Sequence, residues 1–142
     1  MLHERTARGI YLFGGCVLVT RAGDEPFWIL PGGHVDPGEH SAQALRREWQ
    51  EEVGVPLANI VRVTTVESTW RRGGLATGDL VCEHCTLYRV TLSRLLPEGI
   101  FRRNEPQLRF RWAILGNLIQ EQVTPLAVIP WIWQVAGRRY GR

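Results

Sequence analysis

Between Ser41 and Gly54 the apolar residues Ala42, Leu45, Trp49 and Val53 recur at spacings of three and four, the signature of a helix with one buried stripe. Ser41 is placed to cap its start through a hydroxyl, and Gly54 tolerates a left-handed stop. Most of the remaining chain reads as strand. Arg8 to Arg21 holds two apolar runs around Gly14-Gly15, a pair that suggests a bulge or a close backbone approach. A short strand at Phe27 to Leu30 leads into Pro31-Gly32-Gly33. Ile60 to Trp70 and Leu80 to Leu92 form an antiparallel pair around a glycine-rich tip, which either closes over a ligand or is a plain hairpin turn. Ser93 to Gln107 is irregular, and Leu108 to Ile114 is a further strand around Trp112. Thr124-Pro125 is a helix start, with Pro130 either kinking that helix or beginning the true one. Trp131, Trp133 and the neighbouring isoleucines should pack it on a sheet.

Strands mixed with one early and one late helix predict an α+β fold, an α/β/α sandwich, in one domain over residues 1–142. The length suits a single core, and no apolar run reaches membrane-spanning length. The amino terminus lacks a secretory segment, so a cytoplasmic location is expected. Net charge is +3 and all 17 basic residues are arginine. That balance suits an anionic nucleotide without distinguishing it from RNA, and an all-arginine chain can equally reflect coding bias. Cys82-Glu83-His84-Cys85 invites a zinc reading, but no second ligand pair follows at similar spacing. On a strand the two cysteines point to opposite faces, which favours buried thiols and a strand histidine over a zinc site.

The chemistry concentrates at the end of the first helix. Glu48 and Glu52 lie about 40° apart on the helical wheel, and Glu51 a further ~60° round. Like charges so placed repel, which is tolerable where a hard divalent cation with a preference for oxygen sits among them. A solvated acidic face is the plainer explanation for such a cluster alone. Here the glutamates follow two glycine turns on one short segment. Arg47, one turn before Glu51, can hold that carboxylate.

Gly33, Glu39 and the run Arg47-Glu48-Trp49-Gln50-Glu51-Glu52-Val53-Gly54-Val55 resemble the Nudix box, with every polar and glycine position filled. One departure is Trp49, where the family usually has a smaller aliphatic residue. It bears on packing rather than on metal binding. The resemblance implies the Nudix fold, a mixed β-sheet between helices, and cleavage of a diphosphate linkage with Mg²⁺ or Mn²⁺. It assigns Glu48, Glu51, Glu52 and the Gly32 carbonyl to the metal, Arg47 to orienting the glutamates and Glu39 to bracing the loop. The base falls to a helix glutamate or to a later carboxylate, of which Glu105 is the best placed, though a solvated loop glutamate is the simpler account of it.

Substrate choice lies outside the box. The ADP-ribose signature is missing, since no proline occurs between Pro56 and Pro97. Trp70 stands near where diadenosine-polyphosphate enzymes carry a tyrosine. With Arg71 and Arg72 it offers a stacking surface and a phosphate clamp, or else it is a core aromatic. A small-molecule nucleotide is the expected partner, and the chain a monomer or homodimer. A nucleotide sensor that does not cut, and an RNA 5′-end pyrophosphohydrolase, are the alternatives. The sensor reading is weakened by the complete set of box glutamates. The RNA reading ranks last because no aromatic-rich RNA-binding motif is visible.

Overall fold

The computed structural model of the chain describes residues 1–74, 76–93 and 108–137. Strands β1 (Leu2–Ile10), β4 (Gly32–His34), β5 (Leu57–Arg71) and β6 (Leu80–Leu92) make a sheet in the order β4-β1-β6-β5. It is mixed, because β1 runs parallel to β6 while the other pairs are antiparallel. Strands β2 (Leu12–Phe13), β3 (Cys16–Ala22) and β7 (Leu108–Ile114) make a second, antiparallel sheet. Helix α1 (Ser41–Glu52) covers one face of the first sheet, and α2 (Ile129–Val135) packs into the core between the sheets. The α+β arrangement with a mixed sheet between helices is therefore as expected, with its strands shared between two sheets.

Each element follows from local chemistry. Alternation along β1 sends Ala7 into the cluster of Leu45, Trp49 and Val53 on α1, while Ile10 joins the cluster of Leu30, Leu87 and Ile132. Gly14 and Gly15 both have positive φ and form the two-residue turn between β2 and β3, rather than a bulge. Ser41 is not the cap of α1. His40 occupies that position, and the Ser41 hydroxyl instead meets the Tyr88 hydroxyl at 2.6 Å, which ties the helix start to β6. Gly54 does end the helix in the left-handed region, its amide reaching back to the Trp49 carbonyl.

At the other end of the chain, Pro130 opens α2 in its first turn, and Thr124-Pro125 precedes a separate 3₁₀ turn at Leu126–Val128. Ile129 and Ile132 are buried there, and Trp133 donates from its indole to the Leu115 carbonyl. Among the described residues, no helix is long and apolar enough to cross a membrane.

Candidate active site

Strand β4 and helix α1 bring the glycine turn against the glutamates. Gly32 pairs with Arg8 and Gly33 with Ala7 across the β1–β4 ladder. At Gly32, φ is +146°, and a β-carbon there would lie 2.0 Å from the Ala7 carbonyl oxygen. No other residue type fits that approach. The Gly32 amide donates to Glu52 Oε2 at 3.1 Å, and Glu52 is buried although it is a carboxylate. A β-carbon at Gly33 would fall 2.5–2.9 Å from the carboxyl atoms of Glu48. The glycine pair thus makes room for two carboxylates side by side.

Arg47 holds the arrangement together. Its guanidinium donates to both oxygens of Glu39, from Nε at 3.0 Å and from Nη2 at 2.9 Å. It also donates from Nη1 to Glu48 at 2.8 Å and from Nη2 to the His34 carbonyl at 3.0 Å. Nη1 stands 3.8 Å from Glu51, whose side chain is half exposed. Glu39 accepts the Asp36 amide as well, closing the turn at Asp36-Pro37-Gly38. The hydrogen bonds from Arg47 and then from Asp36 hold the Glu39 carboxyl down at about 2. The same partnership with Glu39 and Glu48 raises the Arg47 pKa.

This donor set fits a hard divalent cation. Glu48 and Glu52 set only oxygen beside the turn, with the Glu48 carboxylate in the space cleared over Gly33, while the Glu51 side chain is half exposed.

The β5–β6 tip is joined to the same region through Glu4. Arg72 pairs with Glu4, and Glu4 meets His34 Nε2 at 3.0 Å. Hydrogen bonds from His34 and then from Arg72 lower the Glu4 pKa. The Arg72 guanidinium lies 5.8 Å from the Trp70 ring, and Trp70 is partly exposed. Arg71 points elsewhere, donating to the Gly78 carbonyl within the tip. Glu105 lies outside the described residues.

Sequence reasoning missed Glu4, Thr6, Arg8 and Glu83. Glu83 accepts from the Thr6 hydroxyl at 2.9 Å and lies 3.7 Å from Arg8, which in turn donates to the Leu30 carbonyl. Their grouping depends on the parallel pairing of β1 with β6, which no local pattern announces.

The fold and the glutamate-bearing loop and helix define a Nudix domain, and the chain belongs to the Nudix family: the NUDIX domain profile matches residues 3–123. Among curated relatives it is 28% identical over 116 residues to an RNA pyrophosphohydrolase of Teredinibacter turnerae, covering 80% of this chain and 55% of that one. It is 48% identical over 50 residues to the nucleoside triphosphatase NudI of Salmonella heidelberg, covering 34% of each. The chain thus spans about half or less of the length of these relatives. A solved MutT NUDIX hydrolase from Burkholderia pseudomallei superposes with a TM-score of 0.64 at 24% identity, over 95% of this chain and 99% of that one.

Proposed function

We propose that the chain hydrolyses a phosphoanhydride linkage, in a nucleoside triphosphate or in a nucleoside diphosphate joined to another group, with Mg²⁺ or Mn²⁺. The observation that carries this is the packing of Glu48 and Glu52 against the Gly32-Gly33 turn, locked from behind by the Arg47–Glu39 pair. Glu48, Glu51, Glu52 and the Gly32 carbonyl would hold the cation. When bound, it neutralises charge on the phosphates and lowers the pKa of an attacking water.

The residues of the chain do the positioning. Arg47 keeps Glu48 turned toward the site and offsets part of the repulsion among the carboxylates. Glu39 removes the conformational freedom of Arg47 with two parallel hydrogen bonds. The Gly32 amide fixes one oxygen of Glu52 and so sets the orientation of a carboxylate that would hold the cation. A proton from the attacking water passes to a carboxylate of this helix. Trp70 stacks the base, with Arg72 beside it for phosphate.

Mixing the protein with Mg²⁺ and a panel of nucleotides, and identifying products, tests the reading. Glu52→Gln should reduce turnover by more than the roughly 10–100-fold typical of losing a supporting group, with the fold unchanged. Full turnover in that variant would refute the assignment. Trp70→Ala should raise KM about tenfold or more while leaving kcat nearly unchanged, since stacking is worth roughly 1–3 kcal/mol per base.

A second reading, removal of pyrophosphate from an RNA 5′ end, is favoured by the relative that aligns over 80% of the chain. It uses the same groups on the same bond. A triphosphorylated RNA in the panel, left intact while free nucleotides are cut, removes it.

A further inference from the structure

His3, Cys82 and His84 come together on the α1 side of the first sheet, beyond the end that the helix covers. The register sets this up. His3 lies directly opposite Cys82 in the parallel β1–β6 ladder, and His84 is two residues further along β6 on the same face. One ligand atom from each of the three lies within 4.8 Å of the others. His3 Nδ1 and His84 Nε2 are 3.0 Å apart, with the two rings stacked. Two nitrogens on a tetrahedral zinc ion, at Zn–N distances of roughly 2.0–2.1 Å, would stand about 3.3 Å apart. The two nitrogens thus already stand near the spacing that such an ion imposes.

A fourth residue prepares it. Glu67, opposite His84 in the β5–β6 ladder, lies 3.0 Å from His84 Nδ1. In a neutral imidazole that contact places the hydrogen on Nδ1 and the lone pair on Nε2, the nitrogen facing His3. A carboxylate behind a histidine in this way is the usual support of a metal-bound imidazole. Cys82 is buried, while His3 is exposed, so an ion reaches the site from solvent.

We propose that His3, Cys82 and His84 bind a borderline-soft transition-metal ion of the Zn²⁺ type, with water as the fourth ligand. On binding, the Cys82 thiol releases its proton to solvent and its sulfur becomes a ligand. Nitrogen and sulfur donors exclude Mg²⁺, so this site is chemically distinct from the carboxylate site on α1. The ion clips the outer end of β1 to β6. Cys85, at the other end of the same four-residue motif, takes no part, because it lies on the opposite face among Val66 and Leu87. The proposal stands independently of the hydrolase reading.

Titrating the 142-residue chain with Co²⁺ in excess Mg²⁺ tests it. One equivalent should produce a thiolate-to-cobalt charge-transfer band that Zn²⁺ displaces, and Zn²⁺ should raise the melting temperature. Cys82→Ser should abolish the band. His3→Ala, an exposed change that leaves the core untouched, should weaken binding at least tenfold, and Glu67→Gln about 10–100-fold. Glu52→Gln should leave the titration unchanged. Absence of the band, its persistence in Cys82→Ser or full-strength binding by His3→Ala would overturn the site, as would its loss in Glu52→Gln.

Discussion

Arg47 has more partners than any single ion pair needs, and their order explains its role. Its fork is committed to Glu39 with two hydrogen bonds, which leaves Nη1 for Glu48 and, at longer range, for Glu51. Lysine in its place keeps the charge but loses the fork. Arg47→Lys should therefore weaken metal-dependent activity about 10–100-fold while the protein stays folded, as measured by kcat/KM against Mg²⁺ concentration. Glu39 also carries a pH signature. Its carboxyl titrates at about 2 in the folded chain, below the ordinary 4.5. A depressed carboxylate contributes stability that is complete above the unfolded value and is lost as pH falls through the folded one. The unfolding midpoint of the wild type should drop more steeply than that of Glu39→Gln between pH 5 and pH 2, within the roughly one-unit span beyond each pKa where such linkage acts. Parallel pH profiles would contradict this role.

At the scale of elements, the contact between α1 and β1 accounts for the one unusual residue of the box. Trp49 is fully buried, and its ring lies where Gly9 leaves space on β1. A β-carbon at Gly9 would approach the ring to 2.6 Å, against a side chain hemmed in on every side by the core. The glycine in the strand and the tryptophan in the helix are thus one packing solution. Gly9→Ala should destabilise by roughly 1–3 kcal/mol, the usual cost of overpacking. In a Trp49→Leu background the same change should cost much less, so a double-mutant cycle followed by denaturant unfolding gives a coupling of similar size. Independent effects would show that the helix and strand do not meet in this way. The stripe from Leu45 to Val53 was readable from spacing alone, because a helix brings its own residues into register. The complement at Gly9 was not, since it sits 40 residues away and reads locally only as a flexible position. Ser41 illustrates the converse: a residue type that favours caps was drawn to Tyr88 by tertiary packing.

Across the whole molecule, legibility tracked sequence separation. The loop and helix that carry the glutamates are contiguous, so the turn, the helix and the family they mark could be read from one segment, as could the β5–β6 hairpin. The parallel pairing of β1 with β6 joins residues about 80 positions apart, and what rests on it stayed hidden: the Glu83–Arg8 pair, the His3–His84 contact and, together with the β1–β4 pairing, the link from Arg72 through Glu4 to His34. That last link ties the hairpin tip to β1 and β4, while Arg47 ties β4 to α1 through the His34 carbonyl. The acidic site is thus a junction of four elements, and occupying it should stabilise the entire domain rather than one helix. Mass action gives about 2.7 kcal/mol for a ligand at 100 times its Kd. For a domain of this size, that converts to a rise in melting temperature on the order of 10 °C. A thermal unfolding series in Mg²⁺ should therefore show one cooperative transition moving upward together in far-ultraviolet and tryptophan signals. In Glu52→Gln the transition should scarcely move. A shift confined to one signal, or one equal in the variant, would mean that the ion is held somewhere other than among these carboxylates.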